Sequence, residues 1–311
     1  MINYEKLKSI INNLELRINN CHDDLLKMFP LRKYLDLIDK YPEYAGLQYC
    51  SSEVERYCKD IIGSSNFQIL ESYHKLLMVT LISTYKNSVK NKKLPNEVQQ
   101  YYFKDFDRII CQIENDTDFS GYYLYSNYHF CMDMAICSLR MFPIGGRRYH
   151  FSRFPVRKFL NQGGRQFLAV MLFLIFETRG RKPFLRVHYD THDPSFMDGW
   201  TLEGLIHSNR ILADVMKMDP QIKGKIGTSW INDPQIERIS PRLAYLRYFI
   251  IANGAKLFYL GSSDKAAKDA TEKSSTRRRL YSEGKYVPSD YIEAWSRKSM
   301  LKWANKLKWY W

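Results

Sequence analysis

The stretch KGKIGTSWINDPQIERISPRLAYLRYFIIANGAKLFYLG, residues 223–261, reads as strand, turn, helix, cap and strand. Its first strand is expected at about 225–231, after which Asp233-Pro234 turns the chain. Ser240-Pro241 sets a capping hydroxyl before a proline at the first helical position. Asn253-Gly254 then offers a left-handed helix stop, and 255–260 reads as the next strand. A β-α-β unit of this kind decides the fold class of the chain around it and, by itself, names no reaction.

The texture of the chain changes at Phe142, where PIGGRRYHFSRFP brings a glycine pair, two arginines and an alternating segment, 148–154, expected as a strand. Helices are then expected at about 156–162 and 165–178, a strand at 184–190 and a long helix at 200–218. After the opening unit come a helix at about 264–282, a strand at 289–295 and a helix from about 297. Strands alternating with helices predict an α/β domain in which helices cover a mixed, partly parallel sheet, with substantially parallel pairing. Residues 1–140 read instead as helix after helix, with apolar side chains recurring every three and four positions. Leu7, Ile10, Ile11, Leu14 and Ile18 share one such face. Further helices are expected at about 24–40, 52–62, 66–90, 95–114 and 125–141, with a polar loop at 115–123. The predicted organisation is an all-α domain, 1–140, followed by an α/β domain, 141–311.

A chain of 311 residues, rich in Tyr, Phe and Trp, can bury a sizeable core. The 47 Lys and Arg against 33 Asp and Glu give a formal charge of +14, a field that attracts anionic small molecules, nucleic acid or anionic lipid. All six cysteines precede residue 138, which agrees with a boundary near 140, and none forms a CxxC pair of the zinc-binding kind. MINYEKLKSI has no secretory pattern, so a cytoplasmic location with reduced thiols is expected. The longest apolar run, 167–176, is shorter than the roughly 20 residues of a spanning helix, so no transmembrane segment is expected. The aromatics at 101–106 and 122–130 fit a core of large rings better than a base-stacking surface, and the helical half offers a face for a protein partner.

The densest polar cluster is HYDTHD, 188–193, at the expected end of a strand. Strand alternation sets His188, Asp190 and His192 on one side, where they could serve a general base or a ligand set, although the spacing is not that of a metal motif and no metal is assigned. Ser229 and Asp233 close the first strand of the opening unit and are expected on the same sheet edge, where open α/β sheets bind ligands. For a phosphorylated ligand the candidates are Arg147 and Arg148 beside their glycine pair, and Arg277, Arg278 and Arg279 after two serines and a threonine. None of these forms a P-loop or a dinucleotide fingerprint. The tail carries Trp295, Trp303, Leu307 and Trp311 against four lysines, a pattern that suits a helix docked on the domain or lying at an interface.

The order in which LAYLRYFIIANGAKLFYLG follows a strand resembles the C-terminal portion of the GNAT acyltransferase superfamily, where a helix ending in a Gly-hydrophobic pair leads into a late strand. The resemblance covers about 223–261 and implies transfer of an acyl group from a CoA thioester to an amine, with acyl-CoA as the cofactor. HDPSFMDGW, 192–200, stands where that family carries a spaced Gly-x-Gly. Ile250 and Ile251 lie nearest the place of its tyrosine acid, so Tyr245 and Tyr248 are the candidates for that role. The expected function is therefore an acyltransferase-like transferase with His188 or His192 as base and Arg277, Arg278 and Arg279 holding the donor. The alternative is a basic, non-enzymatic module that binds nucleic acid or protein within a larger assembly.

Overall fold

The computed structural model describes residues 4–40, 52–61, 67–116, 121–189 and 200–307, in two compact units, Met1–Ile144 and Gly145–Trp311. The first unit is helical: α1 (Tyr4–Cys21), α2 (Leu25–Met28), α3 (Leu31–Lys40), α4 (Ser52–Ile61), α5 (Phe67–Tyr85), α6 (Asn96–Asn115) and α7 (Tyr128–Cys137). It ends in a short strand, β1 (Met141–Ile144). Leu7, Ile10, Leu14 and Ile18 form the buried stripe of α1, which packs along α5. Helix α5 is buried on nearly every side; its buried Ser72 hydroxyl donates within the helix to the Gln68 carbonyl, whereas the buried Glu71, His74 and Lys75 must find partners elsewhere. They find them on one neighbouring loop. Glu71 accepts from the amide of Tyr123, Lys75 pairs with Asp116 at 3.0 Å, and the His74 ring meets the Tyr123 carbonyl. Asn127 caps α7 by accepting from the amides of His129 and Phe130.

The second unit runs β2 (Arg147–Ser152), a 3-10 turn (Val156–Phe159), α8 (Gly164–Leu172) continued by a π turn (Phe173–Glu177), β3 (Phe184–Tyr189) and α9 (Leu202–Met218). Then come β4 (Gly224–Ser229), α10 (Ile236–Ile239), α11 (Ala244–Ala252), β5 (Lys256–Ser262), α12 (Asp264–Thr271), α13 (Ser275–Ser282), β6 (Ser289–Ser296) and α14 (Arg297–Leu307). Its strands lie in the order β2-β3-β4-β6-β5. Helices cover a mixed sheet, as the alternation of elements predicts, but the expectation of substantially parallel pairing needs correction. Among the described residues of this unit only β3 and β4 pair in parallel, whereas β2 with β3, β4 with β6 and β5 with β6 are antiparallel. The reason is β6, which inserts between β4 and β5 and separates the two strands of the opening β-α-β unit.

Two other expectations shift at the local level. Ser240 does precede a proline-led turn, yet its hydroxyl makes no cap bond to that turn and instead accepts from Arg277 at 3.1 Å. The helix expected at 264–282 breaks into α12 and α13, because the Ser274 hydroxyl caps a fresh N-terminus by accepting from the amide of Arg277. The helix stop at Asn253-Gly254 is as expected, with Gly254 at φ +95° and the Ala255 amide bonded back to Ile250.

One face of the sheet packs Phe184, Ile226, Phe258 and Ile292 against Phe154, Phe159, Phe173 and Leu174 from the α8 side, with ring centroids meeting edge to face near 6 Å. The opposite face carries Trp295, which is fully buried and packs on Trp303 of α14 at 5.2 Å and on Phe249 of α11. Helix α14 is therefore docked, and Trp311 lies outside the described residues.

Candidate functional site

The parallel pairing of β3 and β4 is short. It covers Phe184↔Gly224, Leu185↔Lys225 and Arg186↔Ile226 and stops there. Both strands nevertheless continue for three more residues: β3 stays paired to β2 as far as Arg147↔Tyr189, and β4 stays paired to β6 as far as Ser229↔Tyr291. Neighbouring strands that each keep their outer partner but drop their mutual register diverge, and a wedge opens between 187–189 and 227–229. Gly227 sits at its apex, where a Cβ would come within 2.7 Å of Val187 Cγ1 and 3.7 Å of Glu293 Oε2. The missing side chain lets both groups close over the strand.

Strand alternation decides what faces this wedge. Arg147, Tyr189, Lys225, Ser229 and Glu293 line a small cleft on the α9 and α11 side of the sheet, together with Trp200. Its cavity volume is about 30 Å³, enough for water. Lys225 and Glu293, from adjacent strands, are both buried and pair at 2.8 Å, and Asn209 of α9 accepts from the same ammonium at 3.2 Å. Burial lowers the Lys225 ammonium pKa from its ordinary value, and the Glu293 charge opposes that shift. The Arg147 guanidinium donates to Ser208 of α9 and lies 5.8 Å from the centre of the Tyr189 ring, which in turn packs on Trp200. A cleft that holds two cations, one carboxylate and a phenol out of water can bind an anionic or carbonyl group and accept a proton, provided a substrate opens it.

The residues predicted from sequence divide around this cleft. Arg147 and Ser229 line it, but the Ser229 hydroxyl is engaged in accepting from the Ile231 amide at 3.1 Å. His188 alternates to the other face, where its Nε2 lies 2.9 Å from His150 Nδ1. Burial holds both imidazoles in the neutral form, His150 pushed down to about 4 and His188 well below its usual value, with the Arg186 charge adding to each shift. Arg148 is buried on that face too and donates to the Gly145 carbonyl. Asp190 and His192 lie outside the described residues.

Asp233 is buried and structural in its bonding, accepting from the amides of Gln235 and Ser289 at 2.9 Å each. Tyr245 donates to the Trp200 carbonyl and so borders the cleft, while Tyr248 is exposed on α11 beside Glu237. The three consecutive arginines do not form one surface. Arg277 turns inward over Trp230 and bonds to Ala270 and Ser240, whereas Arg278 and Arg279 stay exposed near Glu272 and Glu283.

Lys225, Glu293, Tyr189 and Asn209 did not enter the sequence-based site. The signal for one of them is present in DYIEAW, where the single charge of Glu293 interrupts the strand face shared by Tyr291 and Trp295. A charge at such a position is buried, and a buried charge needs a partner.

No family model and no curated protein matches the chain. A solved structure described as acyltransferase in complex with decanoyl-CoA overlaps 71% of this chain at 12% identity, with a TM-score of 0.42. This chain covers 65% of that one.

Proposed function

We propose that the second unit is an acyltransferase-like transferase that takes an acyl-CoA-type donor at the wedge between β3 and β4, in a cytoplasmic setting. The observation that carries this reading is the loss of mutual register beyond Arg186↔Ile226 while both strands keep their outer partners. Such divergence turns main-chain groups of 187–189 and 227–229 toward a gap that an extended, amide-bearing chain can bridge as an added strand. The pantetheine arm of CoA has that chemistry. The resemblance at 223–261 points to the same donor.

In this reading the thioester carbon lies beside the buried Lys225–Glu293 pair. An acceptor amine or hydroxyl attacks it, its proton passes to the Glu293 carboxylate, and the new C–N or C–O bond forms as the C–S bond breaks. The thiolate leaves and is protonated by water. Arg147 and Lys225 supply positive charge to the carbonyl oxygen as it becomes an oxyanion. Lys225 also holds Glu293 in place. His188 is dropped as base, since it faces the opposite side of the sheet and bonds to His150.

Thermal shift of the full chain with acetyl-CoA and longer acyl-CoAs, against CoA and ATP, tests the donor. Saturation far above Kd should raise Tm by about 5 °C or more. Gly227→Val, which fills the apex of the wedge, should abolish the rise. An equal response to ATP, or none to any acyl-CoA, refutes the proposal. With an acceptor in hand, Glu293→Gln should cut kcat about a hundredfold while leaving acyl-CoA binding intact.

A further inference from the structure

The apolar run 167–176, FLAVMLFLIF, serves the core with only half its side chains, and the transfer chemistry uses none of it. Val170, Phe173 and Leu174 are buried in the cluster formed with Phe154, Phe184 and Phe258. Leu168, Leu172, Ile175 and Phe176 are exposed by 58%, 45%, 54% and 71%. Spacings of four, three and one residues bring these four to a single flank of α8 and its π turn. Scattered exposed leucines are ordinary on a protein surface, but four large apolar side chains in a stripe, backed by a rigid aromatic core, are not.

The charge around the stripe says what covers it. Arg157, Lys158 and Arg165 precede it and Arg179, Arg181 and Lys182 follow it, all of them exposed. Glu177 is the acidic residue of 153–182, and it lies 3.8 Å from Lys256. An apolar stripe with a basic rim is the pattern of a helix lying in the boundary between headgroups and acyl chains of an anionic bilayer. A second copy of the chain fits it poorly, since both copies would bring the same basic rim and a formal charge of +14. Nor does the element cross the bilayer: among the described residues no helix is long and apolar enough to do so.

We propose that α8 and its π turn form a docking face for an anionic lipid surface, with Leu168, Leu172, Ile175 and Phe176 entering the acyl layer and the flanking arginines and lysines engaging headgroup phosphates. The proposal does not depend on the transferase reading.

Co-sedimentation of the full chain with vesicles of phosphatidylcholine alone, or of phosphatidylcholine with phosphatidylglycerol, tests it. The chain should sediment with the anionic vesicles and remain in the supernatant with the neutral ones. The double variant Leu172→Gln/Phe176→Gln should lose at least about tenfold in partitioning, because two large apolar groups no longer leave water. Arg179→Gln/Arg181→Gln should lose about tenfold or more, each charge near the surface being worth about fivefold. Since these side chains are exposed, the circular dichroism of both variants should match the parent, and Leu168→Gln provides a milder third variant. Acyl-CoA thermal shifts should be unchanged in all three. Absence of binding to anionic vesicles overturns the proposal, as does binding that survives Leu172→Gln/Phe176→Gln undiminished. A parent chain that is dimeric by ultracentrifugation and becomes monomeric in the same double variant assigns the face to self-association instead.

Discussion

Replacing Lys225 by Met keeps most of the volume of the side chain and removes its charge, leaving Glu293 buried without its cation and Asn209 Oδ1 without its donor. At 2.8 Å and an effective dielectric near 20, the gross attraction of the pair is about 6 kcal/mol. Desolvation of the two charges offsets most of it, but the cost of removing one partner is set by the charge left behind, about 3–5 kcal/mol. Tryptophan fluorescence in urea isolates this effect, because all six tryptophans, from Trp200 to Trp311, belong to the second unit. The urea midpoint should fall by about 1 M or more. Glu293→Gln combined with Lys225→Met should recover at least half of the loss, since the orphaned charge is gone. A loss below about 1 kcal/mol for Lys225→Met refutes the reasoning. So does a double variant whose loss is the plain sum of the two single losses, which would mean that the groups are not coupled.

Three further outcomes follow from the same structure. Burial pushes His74 down to about 4 from an ordinary 6.5, so the unfolded chain binds its proton first as pH falls. The stability tied to a neutral His74 is complete above pH 6.5 and lost between 6.5 and about 4, a loss of about 3 kcal/mol that urea titrations of the parent and His74→Phe at several pH values should separate. Gly227→Ala brings a methyl within 2.7 Å of Val187 Cγ1 and should cost about 1–3 kcal/mol, part of it returned by Val187→Ala, as thermal unfolding will show. Arg277→Ala removes a buried guanidinium bonded to Ala270 and Ser240 and stacked on Trp230, and should cost at least about 2 kcal/mol, with a changed Trp230 emission. The exposed Arg278→Ala and Arg279→Ala should stay within about 0.5 kcal/mol.

Much of the second unit is legible in its residues because local chemistry sets its boundaries. Asn253-Gly254 stops α11 where a left-handed residue is required, and apolar alternation marks β3 and β6 within a residue or two. Strand order is not local, and nothing in 289–295 says that β6 enters between β4 and β5 rather than at an edge. The face that bears the cleft is not local either. Alternation correctly separates His188 from Tyr189, but only the placement of α9 and α11 decides which of the two faces holds the cleft. The tri-arginine segment divides in a way composition does not reveal: a fresh N-cap at Ser274 starts α13, with Arg277 inward and its two neighbours outward.

The insertion of β6 also orders events in time. A ribosome delivers β4, α11 and β5 before the strand that joins them exists, and each of the two earlier strands waits with an open edge. The crossover can be closed only by a segment made later, so vectorial synthesis cannot stabilise this half of the sheet piece by piece. Arrest-peptide measurements should show its folding force only once Ser296 has cleared the exit tunnel. Until then, keeping those edges from other nascent strands falls to the cell rather than to the fold.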